Sequence, residues 1–303
     1  MTGTGFGLML PLMKRLVMAL ALGGVVAAAG CASTGPGAPP AQTIERIKAT
    51  KTIALGYRDS SLPFSYAGPA KEPMGYSVDL CTRVLEDLRS ELKLPDLQPR
   101  WVPVTVESRE RSVVDGTIDL ECGSTTNTIT RQARVDFSLT TFITGASLLS
   151  LTGSNVGEQL GAIRIAVIPG TTTEELVKNA ITSTGATAAE AKLVAVNDHA
   201  AGLTAVVERR AEVYATDRAI LMGLVASMAN PQQFALLDRY LSYEPYALML
   251  RRGDPEFRLA VNRTLARLYR SGQVLDIYRR WFGQWGPPSP LTLGLYAIEG
   301  LPE

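Results

Sequence analysis

Short runs rich in β-branched and apolar residues alternate along this chain with longer stretches whose apolar positions recur at helical spacing. The short runs predict strands over 52–56, 101–106, 117–121, 147–151, 163–168, 193–196, 213–216 and 246–250. Between them, residues 75–92 bring Val78, Leu80, Val84, Leu85, Leu88 and Leu92 close to one helical face, and 200–210 and 217–228 repeat the pattern. Repeated strand, helix, strand order implies an α/β fold of mixed, mainly parallel sheets flanked by helices. In such sheets ligands gather beyond the carboxyl ends of the strands. Arg58, Ser124, Thr171 and Asp217 all fall at such ends.

The N-terminus departs from this pattern. Lys14 and Arg15 precede an apolar run over 16–30, short of the roughly 20 residues that span a bilayer. The run ends in Ala28-Ala29-Gly30 before Cys31, so residues 1–30 read as an export signal. Small residues leading into a cysteine resemble a bacterial lipoprotein box, although Ala28 stands where that box usually carries Leu. On that reading Cys31 is lipidated, 31–43 is a flexible tether, and the protein sits in the periplasm held to the membrane. A cysteine that merely closes an ordinary signal peptide is the other reading.

Composition narrows the partners. The chain has 30 basic and 29 acidic residues, for a formal charge of +1, which gives no reason to expect nucleic acid. A small-molecule partner and a monomer are expected. The chain has one histidine, His199, which removes most metal sites and Ser/His/Asp catalysis, and Cys81 and Cys122 lack the close spacing of zinc ligands. No metal, cofactor or catalytic residue is expected. Against this background, Glu121-Cys-Gly-Ser-Thr-Thr-Asn-Thr-Ile-Thr-Arg131 is informative. It ends a strand and then offers hydroxyls and a guanidinium, a set that suits one bound carboxylate; a surface ion pair is the plainer use of the same arginine.

Several further motifs follow in order: Gly56-Tyr-Arg58-Asp-Ser-Ser-Leu-Pro63-Phe64-Ser-Tyr66, Gly75-Tyr-Ser-Val-Asp79, Arg131-Gln132, Gly170-Thr-Thr172, Asn197-Asp-His199 and Asp217. With the 121–127 segment they make the chain resemble the polar amino-acid-binding proteins of bacterial ABC importers, solute-binding protein family 3, and most of all its glutamate/aspartate-binding branch. The resemblance implies a two-lobed periplasmic-binding-protein (type II) fold. Lobe one would comprise 44–145 and 246–286 and lobe two 146–245, joined by a two-crossing hinge that closes on ligand. Residues 287–303 are expected to lie against a lobe as an extended C-terminal strap. The implied partners are an amino acid and an inner-membrane ABC permease.

The resemblance also implies roles for individual residues. Arg131 would grip the α-carboxylate, with Ser124 and Thr126 bonding around the α-carboxylate and α-amino groups. Gly170-Thr-Thr-Thr-Glu-Glu175 carries a Ser/Thr-x-x-Glu pattern that starts a helix, so Thr172 would offer its amide and hydroxyl to the same carboxylate. Asp217 would pair with the α-ammonium. Arg58 stands where relatives that take cationic amino acids carry Asp, and with His199 it would bracket an acidic side chain; glutamine and asparagine stay in play. Ala200 and Leu139 depart from the branch, which tends to carry Gly and an acidic residue there. Cys81 and Cys122 are either a disulfide or two buried thiols. The alternative function on this fold is a secreted enzyme resembling cyclohexadienyl or arogenate dehydratases.

Overall fold

The computed structural model describes residues 42–154, 156, 162–183 and 192–303. The expected signal segment, Cys31 and all but the last two residues of the expected tether lie outside them. The described chain opens with α1 (Thr43–Thr50), β1 (Thr52–Tyr57), β2 (Ser60–Ser61), β3 (Ser65–Ala67), β4 (Pro73–Met74) and α2 (Tyr76–Glu91). It continues through β5 (Gln98–Pro103), α3 (Arg109–Val114), β6 (Leu120–Glu121), α4 (Ile129–Gln132) and β7 (Val135–Thr144). The next stretch holds β8 (Ala146–Leu151), β9 (Ile165–Val167), α5 (Thr172–Thr182), β10 (Leu193–Ala195), α6 (His199–Val207), β11 (Val213–Asp217), α7 (Arg218–Ala226) and β12 (Phe234–Leu236). Last come β13 (Glu244–Arg251), α8 (Pro255–Arg270), α9 (Gln273–Phe282) and α10 (Pro290–Glu299).

Two five-stranded sheets result, in the orders β5-β1-β6-β13-β7 and β10-β9-β11-β8-β12. In the first, β5, β1 and β6 are parallel while β13 runs antiparallel to both neighbours. The second repeats the arrangement with β8 as the reversed strand. Strands buried on both faces need continuous apolar runs, and β9 (Ile-Ala-Val) and the middle of β13 (Tyr-Ala-Leu-Met-Leu) supply them. Strand β7 differs. It mixes Asp136, Ser138 and a Thr pair with its apolar residues and lies at the sheet edge, which explains why its pattern predicts no strand.

The chain passes between the sheets twice, through Gly145 and again just before Glu244. The crossings touch: a Cβ on Gly145 would stand 2.1 Å from the Ser242 carbonyl oxygen, and Leu241 N–H donates to the Ala146 carbonyl at 2.8 Å. Under the first sheet, the Phe64 ring lies 4.9 Å from that of Phe142, 5.0 Å from Tyr246 and 5.3 Å from Phe282. Cys81 and Cys122 are bonded, with Cα atoms 6.1 Å apart, fixing α2 to the end of β6.

One expectation is corrected. Residues 287–303 do not run as an extended strap, because Pro290–Glu299 is helical. Ser289 accepts from the Thr292 N–H as N-cap and Pro290 takes the first turn, so Pro287 and Pro288 precede the helix, Pro290 opens it, and none of the three interrupts it. The helix docks through Tyr296, whose ring stacks 5.1 Å from that of Tyr269 and whose hydroxyl meets that of Tyr76 at 2.9 Å.

Candidate ligand-binding site

Between the carboxyl ends of the two sheets lies a narrow cavity, lined by Arg58, Ser124, Thr126, Arg131, Thr172, His199 and Asp217 together. All seven residues singled out in the sequence therefore face one space. It is tight: the centre of a water-sized sphere can move through about 20 Å³, room for about one water. A second, wider cavity of about 610 Å³ shares Arg131, Thr171 and Thr172 with it.

Arg131 is held firmly. Short helix α4 starts at the N-cap Thr128, which accepts from the Arg131 N–H. The guanidinium donates from Nε to Glu110 Oε1 at 3.1 Å, from Nη1 to the Thr126 carbonyl at 2.8 Å and from Nη2 to the Gly170 carbonyl at 3.4 Å. The last of these reaches the second lobe. Arg58 follows β1 directly and is 3% exposed. Burial lowers its pKa below the ordinary value, and Glu121 does most to oppose this. Gly123 leaves room for both side chains, since a Cβ there would sit 1.9 Å from Glu121 Oε1 and 3.2 Å from Arg58 Cγ.

The second lobe brings the other groups. Asp217 closes β11, and one of its carboxylate oxygens accepts from the Tyr246 hydroxyl of β13. Burial, then the Glu244 carboxylate, pushes the Asp217 pKa up to about 7. His199 opens α6, after the N-cap Asp198, and its Nδ1 meets the Tyr214 hydroxyl at 2.7 Å. Burial, then Arg58 and Arg109, lowers the imidazole to about 3, so it is neutral. Thr171 is the N-cap of α5, accepting from the Glu174 N–H at 3.1 Å, while Glu174 accepts from the Gly170 N–H at 2.9 Å. These two bonds fix the start of α5 and leave Thr172 as the first helical residue, with its hydroxyl donating to Glu244 at 2.9 Å.

Sequence reasoning missed Arg109, Tyr246, Glu244 and Glu110. Arg109 lines the cavity and is 4% exposed; burial, then the Arg131 charge, brings it down to about 9. Its segment, Ser-Arg-Glu-Arg-Ser, reads as a solvated helix face, and no local signal marks one of its two arginines as internal. Among the described residues, Arg58 Nε, Arg109 Nε and Asp217 Oδ1 are buried with no hydrogen-bond partner. Buried polar atoms are normally paired. Unpaired donors and an unpaired acceptor lining one cavity suit a ligand that carries both an anionic and a cationic group.

Known proteins resemble this chain at both levels. The L-glutamate/L-aspartate-binding protein of Pseudomonas aeruginosa is 39% identical over 265 residues, 86% of each chain. The glutamate/aspartate import solute-binding protein of Escherichia coli is 32% identical over 280 residues, 91% of this chain and 90% of that one. Among solved structures, an ancestral amino acid-binding protein, precursor of cyclohexadienyl dehydratase, superposes with a TM-score of 0.69 at 24% identity, covering 79% of this chain and 99% of its own. The solute receptor for L-cysteine of Neisseria gonorrhoeae does so with 0.70 at 21%, covering 82% and 98%. These two show the fold: two lobes, as in periplasmic amino-acid-binding proteins. Residues 53–284 match the bacterial extracellular solute-binding proteins, family 3, and the chain belongs to that family.

Proposed function

We propose that this chain is the extracytoplasmic binding component of an ABC importer for glutamate and aspartate. The observation that carries the reading is the meeting of three buried guanidiniums, Arg58, Arg109 and Arg131, with the Asp217 carboxylate in one cavity. A zwitterion with a second carboxylate complements that set. Arg131, with Ser124 and Thr126, takes the α-carboxylate, aided by the N–H groups at the start of α5. Asp217 takes the α-ammonium, which restores its ionised form. Arg58, Arg109 and His199 take the distal carboxylate. The named functions of the Pseudomonas aeruginosa and Escherichia coli relatives support this assignment.

Loading requires the lobes to part, since the cavity as it stands is far smaller than an amino acid. Ligand favours the closed form by its differential affinity for that form, and the closed form is the one offered to the permease. The protein acts in the periplasm, tethered through a lipidated Cys31.

A calorimetric panel of the twenty amino acids tests the reading. Arg131→Ala should abolish binding of every ligand. Arg58→Ala should weaken glutamate by about 10- to 150-fold, the effect of one charge-assisted bond, with a much smaller effect on glutamine. Equal losses from both substitutions would contradict the division of roles. Turnover of prephenate or arogenate would replace transport with enzymatic dehydration.

A further inference from the structure

His199 is a site residue whose chemical role depends on which of its two nitrogens holds a proton. A neutral imidazole donates from one nitrogen and accepts at the other, and the hydrogen bond made by one nitrogen fixes the behaviour of its partner. Here Nδ1 is engaged by the Tyr214 hydroxyl at 2.7 Å. Nε2 has no hydrogen-bond partner among the described residues, on a side chain that lines the cavity.

The chemistry of the two groups decides the direction of that bond. Tyr214 is fully buried on β11. A phenol is a strong O–H donor and a weak acceptor, whereas the bare nitrogen of a neutral imidazole is a strong acceptor. The contact at 2.7 Å is therefore made with the phenol's single proton directed at Nδ1. The seat for the ring is built into α6. Gly202, one turn beyond His199, has no room for a side chain, since a Cβ would lie 2.3 Å from Tyr214 Cε2. The pair Tyr214 and His199 thus runs from strand to helix to cavity.

We propose that Tyr214 is a positioning residue for ligand selection: it holds His199 as the Nε2–H tautomer, so that the imidazole enters the cavity as a donor. The proposal rests on the reading of the site as one for acidic amino acids. An Nε2–H beside the guanidiniums of Arg58 and Arg109 serves a carboxylate, whereas a bare Nε2 lone pair would repel it. A ligand amide can turn its NH2 toward either nitrogen, so glutamine depends less on the tautomer than glutamate does.

The single histidine makes the test direct. In the untagged, 15N-labelled chain near neutral pH, the ring should show a pyrrole-type Nε2 and a pyridine-type Nδ1, before and after glutamate is added. Tyr214→Phe should mix the two tautomers and narrow the preference for glutamate over glutamine roughly 5-fold, the effect of one neutral hydrogen bond. A pyridine-type Nε2 in the unaltered chain would overturn the proposal whether or not glutamate binds. Equal weakening of glutamate and glutamine in Tyr214→Phe would also overturn it, leaving the phenol as packing alone. Failure of the unaltered chain to bind any acidic amino acid would sink the proposed function, with the ring spectrum still deciding the tautomer.

Discussion

At the scale of single residues, the cavity holds two buried titrating groups whose effects on stability oppose each other. Asp217 has its pKa raised from 3.8 to about 7, so the folded chain holds a proton that the unfolded chain has lost. Its contribution is full below about 4 and disappears as pH rises to about 7. His199 is lowered from 6.5 to about 3, so its contribution is full above about 6.5 and disappears as pH falls to about 3. Each effect is on the order of 4 kcal/mol, and over the shared window they largely cancel. Relative to the unaltered chain, Asp217→Asn should therefore gain stability as pH rises from about 4 to 7, and His199→Gln should lose it between about 3 and 6.5. Urea unfolding across pH would reveal both slopes. Much of this site is legible in the sequence, because Arg58, Ser124, Thr172 and Asp217 stand at strand ends or helix starts. Arg109 is not, since α3 packs against β13, a strand that lies far along the chain.

Among the elements, the legible ones are those whose burial repeats along the sequence. The middle of β13 is apolar without interruption, and α2 turns Leu80, Val84, Leu85 and Leu88 inward. What sequence hides is decided by neighbours. Strand β7 forms because β13 pairs along its length, despite register shifts around Ala247, and α10 forms because Tyr296 finds Tyr269 and Tyr76. The Cys81–Cys122 bond belongs to this scale too. It closes a loop with a sequence separation of 41, for which chain entropy gives about 4 kcal/mol. Replacing both cysteines by alanine should lower unfolding stability by about that amount in a urea titration, with ligand preference unchanged.

For the molecule as a whole, closure depends on surfaces away from the ligand groups. Gly223 on α7 of the second lobe meets the Leu62-Pro63 turn of the first, where a Cβ would lie 2.8 Å from the Leu62 carbonyl oxygen and 3.0 Å from Pro63 Cδ. Gly223→Ala should wedge the lobes apart at a cost of about 1–3 kcal/mol. Every ligand would then weaken alike, by about 5- to 150-fold, and solution scattering should report a larger radius of gyration with glutamate present. The reversed strands β8 and β13 carry one more implication, for the order of assembly. The second sheet is made from one unbroken stretch of chain, whereas the first keeps a gap between β6 and β7 until residues 244–251 arrive to fill it. Both cysteines precede that late strand. Oxidation can thus pin the unfinished half while its keystone is still emerging, and pulsed hydrogen exchange should find β9 and β11 protected before β6 and β7.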